Sequence, residues 1–228
     1  MPWYSPGDPT LDPTPVPAPI SAPAYASDGS LLWLFGGYDA TFSEIATVYT
    51  YNPDTNAWIA HADLGVAQAP SSAAAILSGY AYIISDFGFY RYTLTDGSWV
   101  ALTEPPGGAD WELDLVEMNG LLYWNLSDPG GGYVYDPATD AWTALTAWTT
   151  PNLPPYGPAA TTDGTYIYVY AEGMLGRYDP ATDSWTDLTG HGGRKVYHAV
   201  LTHLNGVLYI AGGENDTLDA RVGRQPVP

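Results

Sequence analysis

The chain has 228 residues, 46% of them hydrophobic, no cysteine, and a formal net charge of −19 from 25 acidic against six basic side chains. The absence of cysteine excludes disulfides and thiolate-held zinc or iron–sulfur centres, and a surface this acidic repels nucleic acid and anionic membrane. No apolar run approaches the roughly 18 residues of a membrane span, and the opening MPWYSPGDP has neither the basic nor the apolar part of a secretory signal, so neither membrane insertion nor a leader is expected.

In chain order, Pro2-Trp3-Tyr4-Ser5 reads as a short strand. It is followed by PGDPTLDPTPVPAPI at 6–20, where proline at such density favours a stiff extended arm, lying across the rim or reaching a neighbouring subunit. Five tight-turn signals come next: Asp28-Gly29, Ser78-Gly79, Asn119-Gly120, Asp163-Gly164 and Asn205-Gly206. Such pairs tolerate positive φ and mark hairpins, and each is followed by an aromatic and branched run such as LLWLFGG or TYIYVYAE. A second marker, Tyr then six residues then Trp, recurs at Tyr51/Trp58, Tyr92/Trp99, Tyr135/Trp142 and Tyr178/Trp185. Its clearest copies are YDPATDAW at 135–142 and YDPATDSW at 178–185, where Asp-Pro-Ala-Thr-Asp is turn chemistry between two strands.

The Trp spacings of 41, 43 and 43 give a period of the length that builds propeller blades. Each unit reads strand, tight turn, strand, loop, strand, turn, strand. The expected fold is therefore all-β: a five-bladed β-propeller of four-stranded antiparallel blades in one domain spanning 1–228. The fifth unit, from about 197, lacks an outer strand. Residues 2–5 resemble Ala57-Trp58-Ile59-Ala60 and are expected to supply that strand and close the ring, because an open ring would leave unpaired edges. Trp58, Trp99, Trp142 and Trp185 are expected to fill the wedges between blades.

On these residues the chain resembles the kelch family, whose blades carry a di-glycine after the second strand and a Tyr–Trp pair at this spacing. The di-glycine stands at Gly36-Gly37 and Gly212-Gly213, loosens to Gly130-Gly131-Gly132 in the third unit, and is reduced to Gly88 and Gly173 in the second and fourth. The resemblance runs from Trp3 to about Arg224. It implies a propeller used mostly for protein binding, less often for sugar chemistry, and five blades depart from the six or seven more common in that family.

Both tight turns of each blade belong on one face, which is rich in Asp for turn and capping reasons, and the long loops belong on the other. Loop-face aromatics include Tyr38, Phe42, Trp111, Trp148 and Tyr156. Counting eight residues back from each marker glycine gives Ser21, Ser71, Glu112, Tyr156 and His198 as a ring around the channel mouth. Pro23, Ala73, Asp114, Pro158 and Val200 follow just inside. No HExxH, GxSxG, phosphate-loop or EF-hand pattern is present.

The leading expectation is a non-catalytic propeller contacting a protein partner or neighbouring subunit through its loop face, within a larger assembly such as a virus particle or cell surface. It has no cofactor and no metal ligand set. The second is a lectin-like glycan binder using Trp111, Trp148 and Tyr156. The third is a sugar-active enzyme in which Glu112, Asp114 and His198 hold a cation or act as acid and base.

Overall fold

The structure, a computed structural model, describes residues 13–65, 73–107, 114–128, 131–149, 158–189, 196–214 and 222–226. It is all-β, with five antiparallel sheets. The first holds β1 (Ala24–Ser27), β2 (Leu32–Phe35), β3 (Val48–Asn52) and β4 (Ala57–Ala60). The second holds β5 (Ala73–Leu77), β6 (Tyr80–Ser85), β7 (Gly88–Thr93) and β8 (Trp99–Ala101). The third holds β9 (Leu115–Met118), β10 (Leu121–Trp124), β11 (Tyr133–Asp136) and β12 (Ala141–Ala144). The fourth holds β13 (Ala159–Thr162), β14 (Ile167–Ala171), β15 (Met174–Asp179) and β16 (Ser184–Asp187). The last has three strands among the described residues: β17 (Tyr197–Leu204), β18 (Val207–Glu214) and β19 (Val222–Pro226).

The turn markers act as their chemistry requires. Ser78-Gly79, Asn119-Gly120 and Asn205-Gly206 have positive φ at both positions, the two-residue geometry whose twist matches the flanking strands. Asp28 and Asp163 instead make longer turns. Asp28 Oδ1 accepts the amides of Ser30 and Leu31, and Asp163 Oδ1 accepts those of Thr165 and Tyr166. The expected turn role of these acids thus holds at Asp28 and Asp163.

Each pair of consecutive sheets encloses its own apolar core. Trp33, Phe35 and Val48 of the first sheet meet Ala81, Ile83 and Tyr92 of the second. Tyr82, Ile84 and Phe89 meet Leu122, Trp124 and Tyr135 of the third. Val116, Met118 and Tyr123 meet Ile167, Val169 and Tyr178 of the fourth, and Tyr168, Tyr170 and Leu175 meet Ala199, Leu201 and Leu208 of the last. The first strands follow one another in space, β1 beside β5, then β9, β13 and β17. This is a propeller-like arrangement of wedges. Second- and third-strand residues fill it, among them the fully buried Trp124, Tyr135 and Tyr178. The repeat tryptophans sit further out: Trp99, Trp142 and Trp185 are half-buried and close the outer edge of a core.

At that edge the octapeptide makes a repeated clasp between sheets. Asp140, with φ 51°, turns its carboxylate onto three donors: the Tyr135 hydroxyl at 2.6 Å, the Thr103 amide at 3.1 Å and the Thr103 hydroxyl at 3.0 Å. Trp142 Nε1 then donates to the Thr103 carbonyl at 2.7 Å. One sheet further on, Asp183 takes the Tyr178 hydroxyl and both donors of Thr146, and Trp185 donates to the Thr146 carbonyl. In the first sheet Asn56 takes the Tyr51 hydroxyl and the Thr14 amide, and Trp58 donates to the Thr14 carbonyl at 2.7 Å. In the second sheet Ala62 stands where Thr stands elsewhere, and the Tyr92 hydroxyl donates straight to its carbonyl. The last of the octapeptide's two Asp residues is therefore an inter-sheet ligand for a Thr as well as a turn former. Thr14 also shows that the described end of the proline-rich segment lies on the outer hairpin of the first sheet. Residues 2–5, expected to close the ring, lie outside the described residues.

Candidate functional site

The first strands of all five sheets contribute to one cavity of about 270 Å³. Consecutive residues such as Ala73-Ala74 and Ala199-Val200-Leu201-Thr202 line it, so both phases of the strand alternation reach it. Ala73, Asp114, Pro158 and Val200, four of the five residues expected just inside the channel mouth, line it. So do Tyr25, Ala160 and Thr202, two residues further along. Sequence reasoning stopped one step short of this second ring, which the same alternation would have reached. The small alanines keep the centre open.

Asp114 is the exceptional wall residue. It is only 6% exposed, and neither carboxylate oxygen has a hydrogen-bond partner. Burial pushes its carboxyl up to about 6, because charging it there forfeits hydration. The nearby main-chain amides of Leu126, Asn125 and Asp114 itself offset part of that effect without reaching hydrogen-bonding geometry. Tyr25 stands across the cavity with 55% of its surface accessible, yet the surrounding walls raise its hydroxyl above the ordinary tyrosine range.

The remaining expected site residues fall apart into three groups. Ser71, Trp111, Glu112 and Tyr156 lie outside the described residues. Ser21 is exposed and is fixed through its backbone, which exchanges two hydrogen bonds with Tyr38 at 2.9 and 2.8 Å. Gly37 makes that approach possible, since a Cβ there would lie 2.6 Å from the Ser21 carbonyl oxygen. His198 is within β17. Trp148 corrects the expectation of a loop-face aromatic. It is 2% exposed, belongs to the core between the third and fourth sheets, and stacks on Trp185 at 5.1 Å. Its ring lies directly over Gly176, where a Cβ would come within 2.7 Å of it. A bulky aromatic four residues from the cap of a sheet was folded back into the wedge. Among the described residues no group of three metal-ligating side chains gathers.

The aromatic that does face solvent is Phe42, 80% exposed in the long 38–47 loop. Asp39 holds that loop rigidly: its Oδ1 accepts the Thr41 amide, the Thr41 hydroxyl and the Ser43 amide, and its carbonyl accepts the Phe42 amide. Phe42 is thereby kept at φ 58°, a left-handed conformation uncommon for a bulky side chain. Phe87, in the corresponding loop of the second sheet, is 47% exposed and was missed by the sequence reading. An aromatic at a two-residue turn, Asp86-Phe87, was the available signal.

No family model matches the chain. No curated protein matches it. Among solved structures, one titled "Structure of YjhT" is similar over 90% of this chain and 75% of its own, with a TM-score of 0.69 at 17% identity. That likeness bears on the fold, which is propeller-like in both. Among the described residues no helix is long and apolar enough to cross a membrane.

Proposed function

We propose that the chain is a five-bladed, kelch-like propeller that binds a protein partner through its loop face, without catalysis, as part of a larger assembly. Closure of the ring is supported by the clasp at Thr14. Thr103 and Thr146 each lie two residues beyond the outer strand of one sheet and are gripped by the next. Thr14 is gripped in the same way by the first sheet, which supports a reading in which the segment ahead of it joins the three-stranded β17–β19 sheet. On that reading residues 2–5 supply its fourth strand. Deleting residues 1–8 should lower the melting temperature sharply, and an unchanged melt would rule this closure out.

Phe42 carries the partner-binding reading. A single exposed apolar residue is ordinary, but one pinned in a strained backbone conformation by an Asp39-centred turn is prepared for contact. Little side-chain and loop freedom remains to be lost on binding, and exposed aromatics are frequent anchors of interfaces. Phe87, in the corresponding loop of the adjacent sheet, is a second exposed aromatic. The glycan reading is weaker, since one of its three aromatics, Trp148, is in the core.

The test is to isolate the chain with its native assembly and measure particle size for wild type and for the double variant Phe42→Ser, Phe87→Ser. The variant should melt within about 0.5 kcal/mol of wild type and lose its partner. A wild type that is monomeric and partnerless in its native source, or a variant that keeps the complex, would refute the reading.

A further inference from the structure

The channel cavity is separate from the loop-face patch and raises a chemical question of its own. A carboxylate without a partner in a low-dielectric wall is unfavourable, and such groups are normally satisfied by a hydrogen-bond donor or a counter-charge. Asp114 has neither. Among the described residues lining the cavity, Tyr25 and Thr202 are the other two with polar side chains, and the rest are Ala, Leu, Val and Pro. The three polar side chains described there offer few donors and acceptors to a free sugar. A calcium ion needs six to eight oxygens.

We propose that this cavity binds a small organic ammonium ion, with its charged head on Asp114 and a short apolar body against the alanine-lined wall. The cationic head supplies the donors that Asp114 lacks. The apolar body suits Ala73 and Ala160, and the Tyr25 ring offers a face to the cation from the opposite side. The net charge of −19 raises the local concentration of cations at the surface. At about 270 Å³ the space lies just below the usual range of small-molecule pockets, which selects a ligand of a few heavy atoms. Both Asp114 oxygens are closed to solvent, so the ligand draws the carboxyl into the cavity by a side-chain rotation, a change common on binding.

The test is a titration of the whole chain with butylammonium, followed by amide chemical shifts at Asp114, Asn125 and Leu126. Butanol serves as the uncharged counterpart and calcium chloride as the inorganic cation. Butylammonium should move these signals saturably. Asp114→Asn should weaken binding by about tenfold to a hundredfold, the loss of a charge-assisted contact. Ala160→Leu, which fills the cavity and leaves Asp114 in place, should weaken binding as well, so a folding defect in one variant does not decide the matter. Butanol binding as well as butylammonium, calcium giving the same shifts, or affinity unchanged in Asp114→Asn would each overturn the proposal. Because the loop-face patch is not involved, these outcomes are independent of partner binding.

Discussion

The rim and the channel of this molecule use the same side chain in opposite ways. At the rim, Asp140 and Asp183 each meet three donors, one from their own sheet and two from the neighbouring one. In the channel, Asp114 meets none. The consequence is visible in their acidity. The Tyr135 hydroxyl, with help from Thr103, holds Asp140 below the usual carboxylate range. Burial alone would raise Asp183, but the Tyr178 hydroxyl and the two Thr146 donors outweigh it and bring it down. Asp114 is raised because burial outweighs the main-chain amides of Leu126, Asn125 and Asp114 itself. Asp140 and Asp183 are thus fasteners between wedges and Asp114 a buried group left without donors, and the number of donors within reach separates them.

The largest expected effect is at the rim. Asp183→Ala leaves the Tyr178 hydroxyl and both Thr146 donors without their acceptor, with Tyr178 itself buried. About 2–4 kcal/mol of stability should be lost in urea melts at pH 7, on the scale of a small hydrogen-bond network losing its acceptor. The loss should shrink in acid. A carboxylate whose folded pKa is depressed contributes above its unfolded pKa of about 4, and that contribution fades as pH falls through the folded value. A loss below about 0.5 kcal/mol at pH 7 would mean that the clasps decorate the rim without fastening it.

Much of the architecture was legible because it repeats. Four Tyr–Trp pairs and five turn signals at a near-constant interval mark out the strands, and each turn has the φ signs or the side-chain capping that its residues imply. Counting back from the marker glycines even brought Ala73, Asp114, Pro158 and Val200 together, and all four line the cavity. What could not be read was direction. Trp148 and Phe42 are both loop aromatics, yet one turns into the wedge over Gly176 and the other is propped outward by Asp39. The deciding partners are a glycine 28 residues away in sequence and a turn three residues away, and only the second is local. The double duty of Asp140 and Asp183 was hidden for the same reason, since Thr103 and Thr146 lie 37 residues upstream.

The channel half of the comparison gives the smaller effect and the sharper test. A carboxyl raised from 3.8 to about 6 on folding burdens the native state only when it is ionised. Its sign is opposite to that of the rim: the burden is absent below pH 4, grows between pH 4 and 6, and stays constant above, at about 2–3 kcal/mol. The decisive measurement is therefore the stability of Asp114→Asn relative to wild type from pH 3 to pH 8. The variant should be the more stable protein by about that amount at pH 7.5, with the gap closing as the pH falls below 4. A gap that stays the same at every pH, or a variant that is less stable at neutral pH, would show that Asp114 is satisfied where it sits and that rim and channel do not differ in the way described.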